Sequence, residues 1–129
     1  MKAVILLLKL SITVIIGQTL IYKFSGAAES VYIFSTLGVE PWGRLALGAL
    51  ELLSIILLWI PKTTLYALII ILGMMSGAIA SHAVILGIEI RGDRGELFIL
   101  AVVTWLSSAV LLYLMRERLK ALGKNFIKR

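Results

Sequence analysis

Residues 45–60 read LALGALELLSIILLWI, and one carboxylate, Glu51, stands in the middle of this otherwise apolar run. An ionisable side chain at that depth in hydrocarbon costs about 2.5–3.5 kcal/mol on insertion scales for related charges, so another residue must answer it. The run starts after Gly43 and stops at Pro61, and three further apolar runs accompany it, at residues 3–23, 65–87 and 96–115. Each is close to the ~20 residues that carry a helix across a hydrocarbon layer of about 30 Å. The pattern predicts an all-α membrane protein: a single domain over residues 1–129 built as a four-transmembrane-helix bundle, with spans at 3–23, 43–60, 65–87 and 96–115.

Composition agrees. Hydrophobic residues make up 60% of the chain, the mean hydropathy is +1.04, and soluble domains hold about 45–50% apolar residues. The net charge of +6 would suggest nucleic acid in a soluble chain, but here the basic residues crowd around the ends of apolar runs, where they act as topology signals. With no cysteine, disulfides, thiol relays, iron–sulfur clusters and thiolate zinc sites are excluded, and a single His rules out bis-histidine haem ligation within one chain.

Lys9 and the polar set Ser11, Thr13, Gln18 and Thr19 interrupt the first span. A cleaved signal peptide ending at Ala28 is the competing reading; Lys9 inside the apolar run and Tyr22-Lys23-Phe24 near the cleavage site weigh against it. Between residues 24 and 42, Ala27, Val31, Ile33 or Phe34, and Leu37 recur near helical spacing until Gly38 and Pro41, which predicts a short interfacial helix between the first two spans. Only residues 61–64 separate the second span from the third, so those two are antiparallel neighbours. The third span carries Gly73, Gly77 and Ser81 at four-residue spacing, which predicts the closest helix contact, within the bundle or between copies. Glu89, Arg91, Asp93 and Arg94 predict an exposed loop before the last span. Residues 116–129 form a basic amphipathic tail suited to an anionic membrane surface and lack aromatic residues arranged for base stacking.

Orientation follows from Lys and Arg. Lys2, Lys62 and six tail residues, eight in all, fall on one side, against Lys23, Arg44, Arg91 and Arg94 on the other, so both termini are expected in the cytoplasm. At about 1.5 Å per residue, Gln18, Tyr22, Glu51, His82 and Thr104 then all lie in the outer half of the bundle. One reading makes these residues interhelical hydrogen bonds, each worth about 0.6–2 kcal/mol. The other gathers Gln18, Tyr22, Lys23, Arg44, Glu51, His82 and Thr104 around a polar pocket fit for a quinone headgroup or another small lipophile, with Lys23 favoured over Arg44 as the partner of Glu51. Nucleophile triads, phosphate-cradling Gly loops and metal-ligand clusters are absent from the sequence, which points away from an independent enzyme and leaves catalytic residues unassigned.

Several of these residues fall in segments that resemble the DoxX-like family of small four-helix membrane proteins. The matching pieces are residues 17–26 (GQTLIYKFSG), 34–38 (FSTLG), 40–44 (EPWGR), 48–51 (GALE), 75–82 (MSGAIASH) and 86–89 (LGIE). The resemblance implies a multi-pass protein of the bacterial cytoplasmic membrane, an accessory subunit of a quinone-linked redox system with a redox-complex partner or a second copy of itself. It also leaves a non-enzymatic assembly protein open, with a small-solute carrier as a further alternative, and it supplies no settled catalytic set.

Overall fold

In the computed structural model, which describes residues 1–118, 120 and 121, the chain is helical, with no strand among the described residues. Helix α1 spans Lys2–Ser25, α2 Ala28–Thr36, α3 Trp42–Trp59, α4 Thr64–Ser81 and α5 Glu96–Leu114. A 3-10 turn, Pro61–Thr63, leads into α4, and a π turn, His82–Leu86, follows it. Four segments are long and apolar enough to cross a membrane: α1, α3, α5 and the stretch Pro61–Leu86 built on α4. The expected span ends lie within two residues of these bounds, apart from the third, which turns from α to π at His82.

The ends of the helices show why. Gly26, at φ 70°, takes the left-handed conformation that stops α1, and its N–H reaches back to Tyr22 O. Pro61 forces Ile60 into extended backbone and stops α3. Carbonyls stripped of their helical partners at that corner must be answered in an apolar setting. Thr63 Oγ1 donates to Leu57 O at 2.9 Å and Thr64 Oγ1 to Leu58 O at 3.2 Å.

The four long helices close a ring in the order α1, α3, α4, α5, each packed chiefly on its two neighbours. Ile12, Ile16, Leu58, Leu68, Ile71 and Leu111 belong to one buried cluster in the half where α1 begins and α5 ends. Indole hydrogen bonds tie the ring: Trp59 Nε1 donates to Thr13 Oγ1 at 2.9 Å across α3 and α1, and Trp105 Nε1 to Ser76 Oγ at 3.0 Å across α5 and α4. Outward faces are apolar, with Val14, Ile21, Ile56, Ile69, Ile99 and Leu106 exposed, as a lipid-facing surface requires.

The expected interfacial helix is α2, which packs on α1 and α3 and buries Ser30 and Phe34. Residues 87–95 form the loop expected before the last helix, but it is less exposed than its charges suggest, since Ile90 is fully buried. Arg116 at the start of the tail stacks over the Tyr113 ring, 4.1 Å from its centre. Most of the proposed basic tail, residues 119 and 122–129, lies outside the described residues.

Candidate functional site

Beyond the packed half, where α1 ends and α3 begins, the bundle holds a half-open cavity of about 610 Å³. All four long helices and α2 border it. At its polar end Lys23 Nζ lies 2.9 Å from Glu51 Oε1, with side chains only 12% and 2% exposed. Thr19 Oγ1 shares its proton between Ile16 O, at 2.9 Å on its own helix, and the other carboxylate oxygen, Glu51 Oε2, at 3.3 Å. A cation therefore comes down from α1 to meet the carboxylate in the apolar run, linking two helices.

Gly48, one turn before Glu51, makes this approach possible. A Cβ there would stand 3.0 Å from the Phe24 ring and 3.5 Å from Lys23 Cβ. The close helix approach expected at Gly73 and Gly77 is absent within the bundle: a Cβ at either would meet nothing within 4 Å. Those two glycines and Ser81 instead border the cavity, and Ser81 Oγ donates to Gly77 O at 2.8 Å along its own helix. Four-residue spacing allows backbones to approach; it does not supply the facing helix, and Lys23 and Phe24 supply it at Gly48.

Arg44 stands apart from the cavity lining. Its Nε donates to Glu40 Oε1 at 2.9 Å and Oε2 at 3.0 Å, and its Nη1 donates to Lys23 O, so it latches the start of α3 onto the carbonyl end of α1. A cation on the C-terminal carbonyls of a helix is favourable there. Thr104 is also outside the lining. It is fully buried, and its hydroxyl donates to Leu100 O at 2.8 Å, back along α5, which is how a threonine is satisfied in a helix without a partner. Gln18 and Tyr22 do border the cavity, joined by a long contact of 3.4 Å.

His82 opens the π turn, borders the cavity and is 5% exposed. Its Nδ1 lies 3.0 Å from Gly87 O, and a carbonyl only accepts, so Nδ1 carries the proton. In the neutral ring Nε2 is then a bare acceptor, without a hydrogen-bond partner among the described residues. The ring meets Phe98 edge-on at 5.7 Å.

Sequence reasoning passed over four polar lining residues, Thr19, Glu29, Ser30 and Glu96, and assigned a fifth, Asp93, to an exposed loop. Asp93 Oδ1 accepts from Ile90 N and Gly95 N at 2.8 Å each, and Oδ2 accepts from Leu97 N at 3.2 Å. Partial burial works against its charge, but these three donors and the nearby His82 outweigh it and hold the carboxyl below the usual range. An Asp two residues before Gly95, at the start of a helix, was a readable capping signal.

The arrangement offers hydrogen bonds at one end and hydrocarbon along the rest. Lys23 keeps donors beyond the one that Glu51 uses, and Ile15, Ile33, Phe34, Leu47, Leu97 and Leu100 provide apolar wall. Among the described residues no group of three or more His, Asp or Glu could hold a metal ion. No family model, curated protein or solved structure matches this chain.

Proposed function

We propose that this membrane protein holds a quinone-class lipophile in the intrabundle cavity and serves as an accessory subunit of a quinone-linked redox system in the bacterial cytoplasmic membrane. The observation that carries this reading is a cavity of about 610 Å³ with one polar end, inside a bundle whose outer surface is apolar. Cavities of about 300–1,000 Å³ with mostly apolar walls and a few placed polar groups are the usual form of small-molecule sites.

The donor set fits a ring with two carbonyl oxygens. Lys23, Tyr22 and Gln18 are donors that border the cavity, and His82, when its ring is neutral, offers an acceptor at Nε2 for a hydroxyl of the reduced ring. Glu29, Asp93 and Glu96 also border it, which disfavours an anionic headgroup and leaves a neutral one suited. When bound, a quinone supplies two-electron, two-proton carriage between membrane partners. The chain's own part is to orient the ring, exclude water and present groups able to exchange protons. The DoxX-like resemblance over residues 17–89 supports the same reading, and the Lys and Arg bias supports cytoplasmic termini.

The alternative, a non-enzymatic assembly protein, draws on one fact: Glu51 is already paired within the protein, as a purely structural ion pair would be. Mass spectrometry of lipids retained through a mild-detergent preparation, followed by titration with added decylubiquinone, separates the two. Retained or saturably bound quinone, weakened about 10-fold by Lys23→Met, is the expected result. Protein that carries no quinone and binds none overturns the proposal.

A further inference from the structure

Helix α4 presents two different faces to the same cavity. Met75 and His82 lie on its buried side, whereas Gly73 and Gly77 are exposed, yet all four border the one space. The cavity therefore runs from the interior of the bundle around the flank of α4 to its outer surface. Nothing lies within 4 Å of where a side chain would begin at either glycine, so the passage is open.

Its level in the bundle matters as much as its width. The stretch Pro61–Leu86 is 26 residues long and Gly73 falls at its middle, the depth of lipid tails rather than headgroups. His82 is nine residues further on, about 14 Å along the axis, close to the polar end. A stripe of small residues thus shares one cavity with a buried imidazole whose Nε2 has no hydrogen-bond partner among the described residues.

We infer that the ligand carries a single flexible hydrocarbon tail, which leaves the bundle sideways past Gly73 and Gly77 into the lipid while its headgroup stays between Lys23 and His82. This rests on the reading of the cavity as a lipophile site. It adds a substrate class, a long-tailed molecule delivered from the bilayer, and an entry route that never crosses water. Head toward the surface and tail toward the midplane is also the way such a molecule already lies in a membrane, so entry requires translation without inversion.

The test uses the full chain in nanodiscs with two probes: decylubiquinone, and the same ring with a methyl group in place of the decyl tail. Gly77→Leu and Gly73→Leu place a side chain in the passage. Each is expected to weaken decylubiquinone binding about 10-fold while leaving the affinity for the short-tailed ring and the melting temperature unchanged. Equal loss of both probes, loss of neither, or dissociation of an oligomer by Gly77→Leu overturns the inference. Should either variant fail to fold, a photoreactive group at the tail end of decylubiquinone answers the question on the unaltered protein. Labelling of Ile69, Ser76 or Ala80 on the outer flank supports the side exit, and labelling confined to Ile71 and Met75 in the core overturns it. Failure of the unaltered protein to bind either ring would instead remove the lipophile-site reading itself, and this inference with it.

Discussion

Glu51 and Lys23 are each tolerable only because of the other. Removing one partner of a buried pair leaves an unanswered charge and costs about 3–5 kcal/mol, whereas replacing both by apolar groups is often close to neutral. Glu51→Ala is therefore expected to lower the melting temperature in detergent far more than the double change Glu51→Leu with Lys23→Met, and Arg44→Met should give Glu51→Ala no such relief. A double-mutant cycle with equal coupling to both cations would contradict the observed pairing. Ser108 offers the opposite case, since its Oγ is buried without a partner among the described residues. An unanswered buried hydroxyl costs about 1–3 kcal/mol, so Ser108→Ala should hold or raise the melting temperature. The Lys23–Glu51 pair was legible in the sequence because depth and side-chain reach restrict what can meet a carboxylate inside an apolar run. Thr104 was not, because depth along a helix gives a level in the bundle but no direction around the axis, and a hydroxyl can turn to its own backbone.

At the scale of elements, two glycines of similar sequence appearance have opposite tasks. Gly48→Leu would drive a side chain into Phe24 and Lys23 at the α1–α3 contact, a kind of overpacking that costs about 1–3 kcal/mol. Thermal unfolding of Gly48→Leu beside Gly77→Leu should show the first destabilised and the second unchanged. The loop into α5 has its own signature in acid. Asp93 is held below its ordinary range, so its contribution to stability is present above about pH 4, the unfolded value, and is lost as the pH falls through the lower folded value. The difference in melting temperature between the unaltered protein and Asp93→Ala should narrow on acidification below about pH 4; a gap that stayed constant would show that the charge contributes nothing. Helix positions were readable from apolar runs, Pro61 and Gly26, which act through local backbone limits. The π turn at His82 and the folding inward of Ile90 were not, since both depend on neighbours distant in sequence.

For the whole molecule, the hydrophobic runs were sufficient to foretell four membrane-length helices, and the short 61–64 link to foretell which two are adjacent. The cavity was foreseen only as a level at which polar groups gather; its walls depend on how the ring closes, which no single segment encodes. Reporter fusions at Ala28, Lys62, Asp93 and the C-terminus should read outside, inside, outside, inside, and an inward signal at Asp93 would overturn the four-span arrangement. The placement of the tryptophans gives the molecule its own optical channel. Trp42 is 66% exposed at the start of α3, Trp59 joins α3 to α1, and Trp105 joins α5 to α4 one turn beyond the cavity-lining Ala101. With Trp42 and Trp59 replaced by Phe, the remaining indole stands beside the cavity, and a bound quinone, itself a fluorescence quencher, would announce its arrival as a dimming of the protein's own light.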